Sequence, residues 1–359
     1  MSPVPGSPRR APWAPARRLS LIAIAGVAAL CLAAVSGCVS TGASSGKTLV
    51  YFIYNGPNPP YFAPMASGIT AAEKDYPNLE IKIVNANASS STEISDIDAA
   101  VAAGAKGIIL NPIDGSVTQA TQNATNKGIP VVTIDRDVNT PKARFAFIGD
   151  DDYRLGQQMT DSCIQGMQAA GLPKPWHVVY LEGTLGASTA VNRLAGFEAA
   201  IKPYQANGSV KVVLNQSANF DTGTAQTLLS SFLASTTNIQ AVISGNDAMA
   251  LGAITALQSR GVKPGTQTLV CGSDAQPQNL SDIKAGTQYS TVTHAPYLEA
   301  FWAVEAMNDY LTSKTKPPAS DTDGDILVPQ VVVTKANVAT VAAWGTPPTI
   351  PPLPYGSSK

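Results

Sequence analysis

Asp135, Arg136 and Asp137 follow directly on Val131–Ile134, a four-residue apolar run that reads as a buried strand. Charge is costly in an apolar interior unless it is paired or put to use. The ends of other apolar runs carry a related set. LVYFIY is followed by NGPNPPYF, with Asn58, Tyr61 and Phe62; Arg193 lies in the helix after HVVYLEG; Phe220 follows VKVVLNQ. Asn246 follows AVISG, Asp274 follows TLVCGS and His294 follows YSTVT. Ligands of open α/β sheets bind just beyond the carboxyl ends of the strands, so these residues are the candidates for binding.

Carboxylates, amides, guanidinium groups and aromatic rings make up the set, and no nucleophile–base pair stands among them. It suits a neutral polyhydroxylated ligand. A carboxylate or amide engages adjacent hydroxyls, and arginine offers five donors in a fixed fork. Aromatic rings cover an apolar C–H face. Asp135 and Arg136 are expected to contact the ligand together, and Asp137 to face away as an ordinary surface acid. There is no G-x-G-x-x-G after a strand and no P-loop, and two histidines give no His-based metal cluster. No cofactor, no metal and no enzyme activity are expected. Plainer readings stand beside these. Asp135, Asn246 and Asp274 are also suited to capping helices, Tyr61 and Phe62 to a core, Arg193 to a solvated helix face, and His294 to a satisfied interdomain position.

The elements that must position these residues alternate. From Thr48 onward, short apolar runs are separated by helix-length stretches with spacing near 3.6, as in AMALGAITALQSRG. Strand–helix alternation implies parallel sheets covered on both faces. GIILNP to NKGIPVVTIDRD in the first half is echoed by AVISGND to TLVCGSD in the second. The fold expected is α/β, with two similar doubly wound parallel-sheet domains.

The ends of the chain differ from its middle. Arg17 and Arg18 precede an apolar run from Leu19 to Val35, closed by VSGC at Cys38. Positive flank, apolar core and small residues make a secretory signal over 1–37, and VSGC resembles the bacterial lipobox, with Cys38 as the lipidated residue. Residues 38–47 form a polar tether, in which G-A-S-S-G lacks the strand and helix that a nucleophile elbow needs. Without the four leader arginines the balance is 20 Lys+Arg against 25 Asp+Glu, which argues against a nucleic-acid partner. Cys163 and Cys271 are expected as two buried free thiols rather than a bridge. DTDGD at Asp321–Asp325 lacks the EF-hand glycine and glutamate positions and reads as a solvated turn. Residues 337–359 are Pro-rich without a core pattern, and are expected to be disordered or extended.

NPPYF, ILNPID, IPVVTIDRD, RLAGF, ANFD, GNDAMALGA, GSD and TH, in this order, make residues 47–335 resemble the periplasmic sugar-binding proteins of the ribose-binding type, the solute receptors of bacterial ABC importers. That resemblance implies two lobes of the periplasmic binding protein type I joined by a three-segment hinge. Residues 48–149 and 295–325 would form the N-terminal lobe, and 150–294 and 326–336 the C-terminal lobe. Asn58, Tyr61, Phe62, Asp135 and Arg136 match ligand-lining positions of the first lobe, with one extra proline beside Asn58. Arg193, Phe220, Asn246 and Asp274 match those of the second. Tyr54 falls where a small polar ligand often sits. Ser273 and His294 stand where a ribose binder has an aromatic ring and a glutamine. The implied ligand is a monosaccharide or polyol, and the implied partner a membrane permease that docks the closed, monomeric, lipid-anchored receptor outside the cytoplasm. A receptor feeding a chemoreceptor or sensor kinase, and a carbohydrate-acting enzyme of the same fold class, are the alternatives. A transcription regulator would need a helix-turn-helix in place of the export signal.

Overall fold

The computed structural model describes residues 46–56, 59–318 and 324–355. Cys38, Asn58, Asp321 and Asp323 lie outside these residues, so nothing structural attaches to them.

The first half of the chain builds β1 (Thr48–Tyr54), α1 (Pro59–Asp75), β2 (Leu79–Asn85), α2 (Ser90–Ala102), β3 (Gly107–Asn111), α3 (Thr118–Asn126), β4 (Val131–Ile134) and β5 (Ala146–Gly149). The second half follows with α4 (Asp152–Ala169), β6 (Trp176–Glu182), α5 (Ser188–Ala206), β7 (Val210–Ser217), α6 (Thr222–Leu233), β8 (Ala241–Ser244), α7 (Asp247–Ser259), β9 (Leu269–Cys271), α8 (Pro277–Ala285) and β10 (Ser290–Val292). The chain then returns through α9 (Pro296–Ser313), β11 (Asp325–Leu327) and β12 (Val332–Thr334).

Two six-stranded sheets result, ordered β11-β5-β4-β3-β1-β2 and β12-β10-β9-β8-β6-β7. The orders correspond strand for strand, as the echo between the halves implies. Every pairing is parallel except β10 with β12. β3, β4 and β5 are buried along their whole length, whereas the edge strand β2 is largely open. Central strands covered on both faces need continuous apolar runs, and GIILN and VVTI supply them.

The chain passes between the sheets three times: after β5 at Asp150, after β10 at His294, and between β11 and β12. Because β11 pairs with β5 through Asp325, Ile326 and Leu327, the third passage falls after Leu327 rather than at the expected 325/326 boundary. The passages are tied together. Thr293 N–H donates to Val331 O at 2.9 Å, Val331 N–H to Thr293 Oγ1 at 2.9 Å, and Gln330 Nε2 to Asp151 O at 3.1 Å.

Two expectations are corrected. Cys163 on α4 and Cys271 on β9 form a disulfide, with Cα atoms 6.0 Å apart. α4 packs over β9, and that adjacency is a tertiary fact no local pattern carries. The Pro-rich C-terminal segment is not a coreless tail: Val338, Trp344 and Leu353 are buried. It lacks periodicity because it is an extended strap, burying single side chains at wide intervals.

Candidate functional site

The two sheets aim their carboxyl ends at one cleft, a cavity of about 580 Å³, well within the range of small-molecule sites. Tyr61, Phe62, Asp135 and Arg136 line it from the first sheet, and Arg193, Phe220, Asn246, Asp274 and His294 from the second sheet and the hinge. A larger open groove of about 710 Å³ runs along the outer edge between β7 and α6. Leu214, Leu228 and Phe232 line it without a cluster of charged groups, and we assign it no role.

Alternation along β4 would send Asp135 and Arg136 to opposite faces. Instead Asp135 has φ of 60°, and Arg136 N–H turns back onto Ile134 O at 2.6 Å. A left-handed residue other than glycine is uncommon; here it turns both side chains into the cleft. Asn111 Nδ2 holds Asp135 Oδ2 at 2.7 Å, and Arg136 Nη1 donates to Ile113 O at 2.9 Å.

Asp137 does not line the cavity, but it is not an ordinary surface acid. Both its oxygens engage the buried Arg144, which also meets Asp325 Oδ1 at 2.6 Å. The same Asp325 was the last acid of the DTDGD turn; it serves an ion pair. Asp137 N–H donates to Ser188 Oγ at 2.8 Å, a bond from the first lobe to the second.

Tyr54 stays out of the cavity. It shares a face of β1 with Phe52, as the two-residue period of a strand requires, and its ring stacks on Phe52 at 5.5 Å and tilts on Phe62 at 5.1 Å. Asn55, one residue on, lines the cleft instead, with Nδ2 donating to Asn111 Oδ1 at 2.5 Å.

Phe220 has Arg136 Cζ at 5.5 Å and Arg193 Cζ at 5.8 Å from its ring centre, so two guanidinium groups converge on one aromatic face region. Gly56 and Gly183 leave room for these rings: a Cβ at either would overlap Phe62 or Phe220. Arg193 is 2% exposed, which removes the solvated-face reading. It donates to Asp152 Oδ1 at 2.7 Å, Gly245 O at 2.8 Å and Ser273 Oγ at 3.1 Å. Of the three candidate caps, Asn246 does cap α7, accepting from Met249 N–H at 3.0 Å, and it lines the cavity as well. Asp135 and Asp274 cap no helix.

His294 is the centre of the charge cluster. Its Nε2 faces Tyr61 Oη at 3.0 Å, Glu299 Oε1 at 3.0 Å, Asp135 Oδ1 at 3.3 Å and Asp150 Oδ2 at 3.6 Å. Its Nδ1 faces Arg193 Nη2 at 3.1 Å and Asp274 Oδ1 at 3.5 Å. Burial alone would lower the pKa of His294, but Asp150 and Glu299 outweigh it and raise the value well above 6.5. Burial pushes Asp150 well above the usual carboxylate range against the pull of His294, and pushes Glu299 up to about 7. Apart from His294, neither carboxylate has a donor among the described residues. Five acids (Asp135, Asp150, Asp152, Asp274, Glu299) face three bases (Arg136, Arg193, His294); burial first, and the neighbouring acids after it, raise Asp150, Asp152 and Glu299.

Asp135, His294 and Glu299 stand close enough to hold a cation, with ligand atoms within 4.8 Å of one another. The geometry does not fit one. A neutral His294 ring accepts from Arg193 at Nδ1, which places the proton on Nε2; a charged ring carries protons on both nitrogens. In neither form does Nε2 offer a lone pair.

Sequence reasoning missed Asn55, Thr184, Thr189, Asn219 and Asp221 among the lining residues, and the acids behind His294. Asn55 and Asn219 were legible in principle, since Asn55 follows the end of β1 directly and Asn219 lies two residues past the end of β7. Thr189 sits in the first turn of α5, 2% exposed, with an unpartnered hydroxyl; no local pattern sets it apart.

Comparison with known proteins agrees with this geometry. A family model described as a periplasmic binding protein domain matches residues 49–315. The chain is 34% identical over 258 residues to the ribose import binding protein of Bacillus subtilis (strain 168), covering 72% of this chain and 79% of that one. It is 27% identical over 294 residues to the galactofuranose-binding protein of Escherichia coli (strain K12), covering 80% and 90%. A crystal structure of a galactofuranose binding protein superposes with a TM-score of 0.74 at 25% identity, covering 81% of this chain and 96% of that one.

Proposed function

This chain belongs to the periplasmic binding protein family, in its ribose-type branch of sugar receptors for ABC importers, and on that premise we propose that it captures one monosaccharide or polyol between its lobes. The observation that carries the reading is the convergence of Asp135 and Arg136 from one sheet with Arg193 and Asp274 from the other on one cavity. A carboxylate and a guanidinium from each lobe present acceptors and donors to a ring of hydroxyls. Hydrogen bonds to charged groups contribute about 1.5–3 kcal/mol each, so a few offset the cost of fixing a small ligand. Tyr61, Phe62 and Phe220 supply the aromatic walls for its C–H faces.

Because ligand contacts come from both lobes, ligand favours the closed arrangement, and the closed receptor is the form a permease would dock. The role is capture and delivery rather than turnover. A thermal-shift screen across pentoses, hexoses, inositols and polyols tests it. Ligand at about 100-fold its Kd stabilises by about 2.7 kcal/mol, so one class should raise the melting temperature. A folded protein that responds to none of them contradicts the reading.

Residues 1–37 are proposed to direct export and Cys38 to carry a lipid anchor, with the receptor acting as a monomer outside the cytoplasm. VSGC at Cys38 supports the anchor. Cys38→Ser should release the protein from membranes or leave it unprocessed; unchanged fractionation and mature mass would count against the anchor.

A further inference from the structure

The C-terminal segment lies beyond the family match, which ends at residue 315, yet it bridges both lobes. Val338, Val341 and Ala343 pack with Ala275, Leu280 and Val333 of the second lobe. Trp344, Ile350 and Leu353 pack into the core of the first, beneath α1 and α9. Trp302 Nε1 of α9 donates to Pro351 O at 2.9 Å and fixes the far end. The segment is thus a fourth link between the lobes, beside the three chain passages of the hinge.

Trp344 stands where the segment changes lobes. Its N–H donates to Ala275 O at 2.7 Å, one residue after the cavity-lining Asp274. Its ring lies edge-on to Tyr61, centroids 5.8 Å apart and planes at 73°. Tyr61 in turn meets His294 at 3.0 Å. Trp344 has φ of 59° and is 7% exposed. A bulky residue persists in the left-handed region only where its surroundings hold it there. Here an aromatic contact on one lobe and a backbone bond on the other do so.

We propose that Trp344 is a positioning residue for the binding cleft: it sets Tyr61 against His294 and braces the two lobes, limiting how far they open without ligand. Tyr61 and Asp274 belong to different lobes, and Trp344 touches one and is bonded beside the other. Loss of its ring frees Tyr61 to leave His294 and loosens the brace at the same point.

The test uses the full mature chain with Trp344→Ala, Trp344→Phe and Tyr61→Leu, alone and combined. Small-angle scattering without ligand reads the brace, and needs no sugar. Trp344→Ala should show a larger radius of gyration than wild type, and Trp344→Phe should not. Titration with the sugar found by the thermal screen reads the positioning, and only this arm rests on the sugar-receptor reading. Trp344→Ala should weaken Kd by about tenfold or more, roughly 1.4 kcal/mol, with Trp344→Phe restoring most of it. In a Tyr61→Leu background the further loss from Trp344→Ala should be small, since coupled residues do not add. Wild-type scattering and affinity in Trp344→Ala overturn the proposal, as does full additivity with Tyr61→Leu. If Trp344→Ala does not fold, Trp344→Leu carries the same comparisons and outcomes. If wild type binds no sugar, the receptor reading fails and the scattering arm alone decides the brace.

Discussion

Tyr61 Oη and His294 Nε2 are 3.0 Å apart, although 233 positions separate them in the chain. The bond joins the first turn of α1 to the second passage of the hinge. It places a cavity-lining phenol against the ring on which Asp135, Asp150, Asp274 and Glu299 all converge. The wall of the cleft and the pivot of the lobes are therefore one structure, and a ligand that replaces any of these contacts acts on the pivot as well.

The protons of this cluster give a pH dependence of stability. Glu299 rises from 4.5 to about 7 on folding, so its contribution is fully present below 4.5 and is lost as pH rises through about 7. His294 is also raised, so its contribution is present below 6.5 and is lost above that, through its higher folded value. Both slopes have the same sign. Glu299→Gln removes the first and weakens the second, because it deletes an acid that holds the His294 proton. Urea midpoints of the ligand-free protein at pH 5 and pH 8 should differ less in Glu299→Gln than in wild type. An unchanged difference would show that Glu299 does not titrate with folding.

Asp137→Ala leaves Arg144, whose side chain is 2% exposed, with Asp325 as its remaining acid among the ion pairs described. Breaking a buried pair outright costs about 3–5 kcal/mol, and the surviving partner should reduce this to about 1–3 kcal/mol. The bond from the backbone of residue 137 to Ser188 survives the substitution, so ligand affinity should change little. Denaturant unfolding and ligand titration on one sample separate the two effects; wild-type stability would contradict the ion-pair role.

The Cys163–Cys271 disulfide closes a loop with a sequence separation of 108 inside the second lobe. Cross-links of this kind stabilise by about 2–4 kcal/mol, chiefly by restricting the unfolded chain. Thiol titration of the denatured protein carrying Cys31→Ser and Cys38→Ser should find no free cysteine until reductant is added. Cys163→Ala with Cys271→Ala should unfold at lower denaturant while retaining ligand binding.

Much of the cavity wall was legible because strand ends are local. VVTI followed by three charges, and GND and GSD after apolar runs, mark where polar groups must be used, and the cavity gathers them. Alternation alone would split Asp135 from Arg136, so both can face one cleft only if the chain turns at Asp135, and its left-handed backbone makes that turn. Tyr54 lies outside the cavity because it obeys alternation and stays with Phe52. Asp150 and Glu299 were invisible as a pair because only the packing of α9 against β5 brings them to the same ring. The disulfide depended likewise on α4 lying over β9. In the C-terminal segment, Trp344 and Leu353 are too far apart to form a period, so a strap that packs one side chain at a time read as a coreless tail.

The proposed ligand capture turns on Asp135 and Arg136, and calorimetric titration of their variants with the sugar from the thermal screen tests it most directly. Asp135→Ala removes a carboxyl acceptor and leaves Arg136, 3.8 Å from it, less compensated. The loss should be about 2–4 kcal/mol, a roughly 30- to 1000-fold weaker Kd. Arg136→Lys should also weaken binding, since an ammonium cannot reproduce the guanidinium fork, while Asp137→Ala should bind within about threefold of wild type. Wild-type affinity in both Asp135→Ala and Arg136→Lys, with folding intact by circular dichroism, would place the ligand elsewhere and contradict the account.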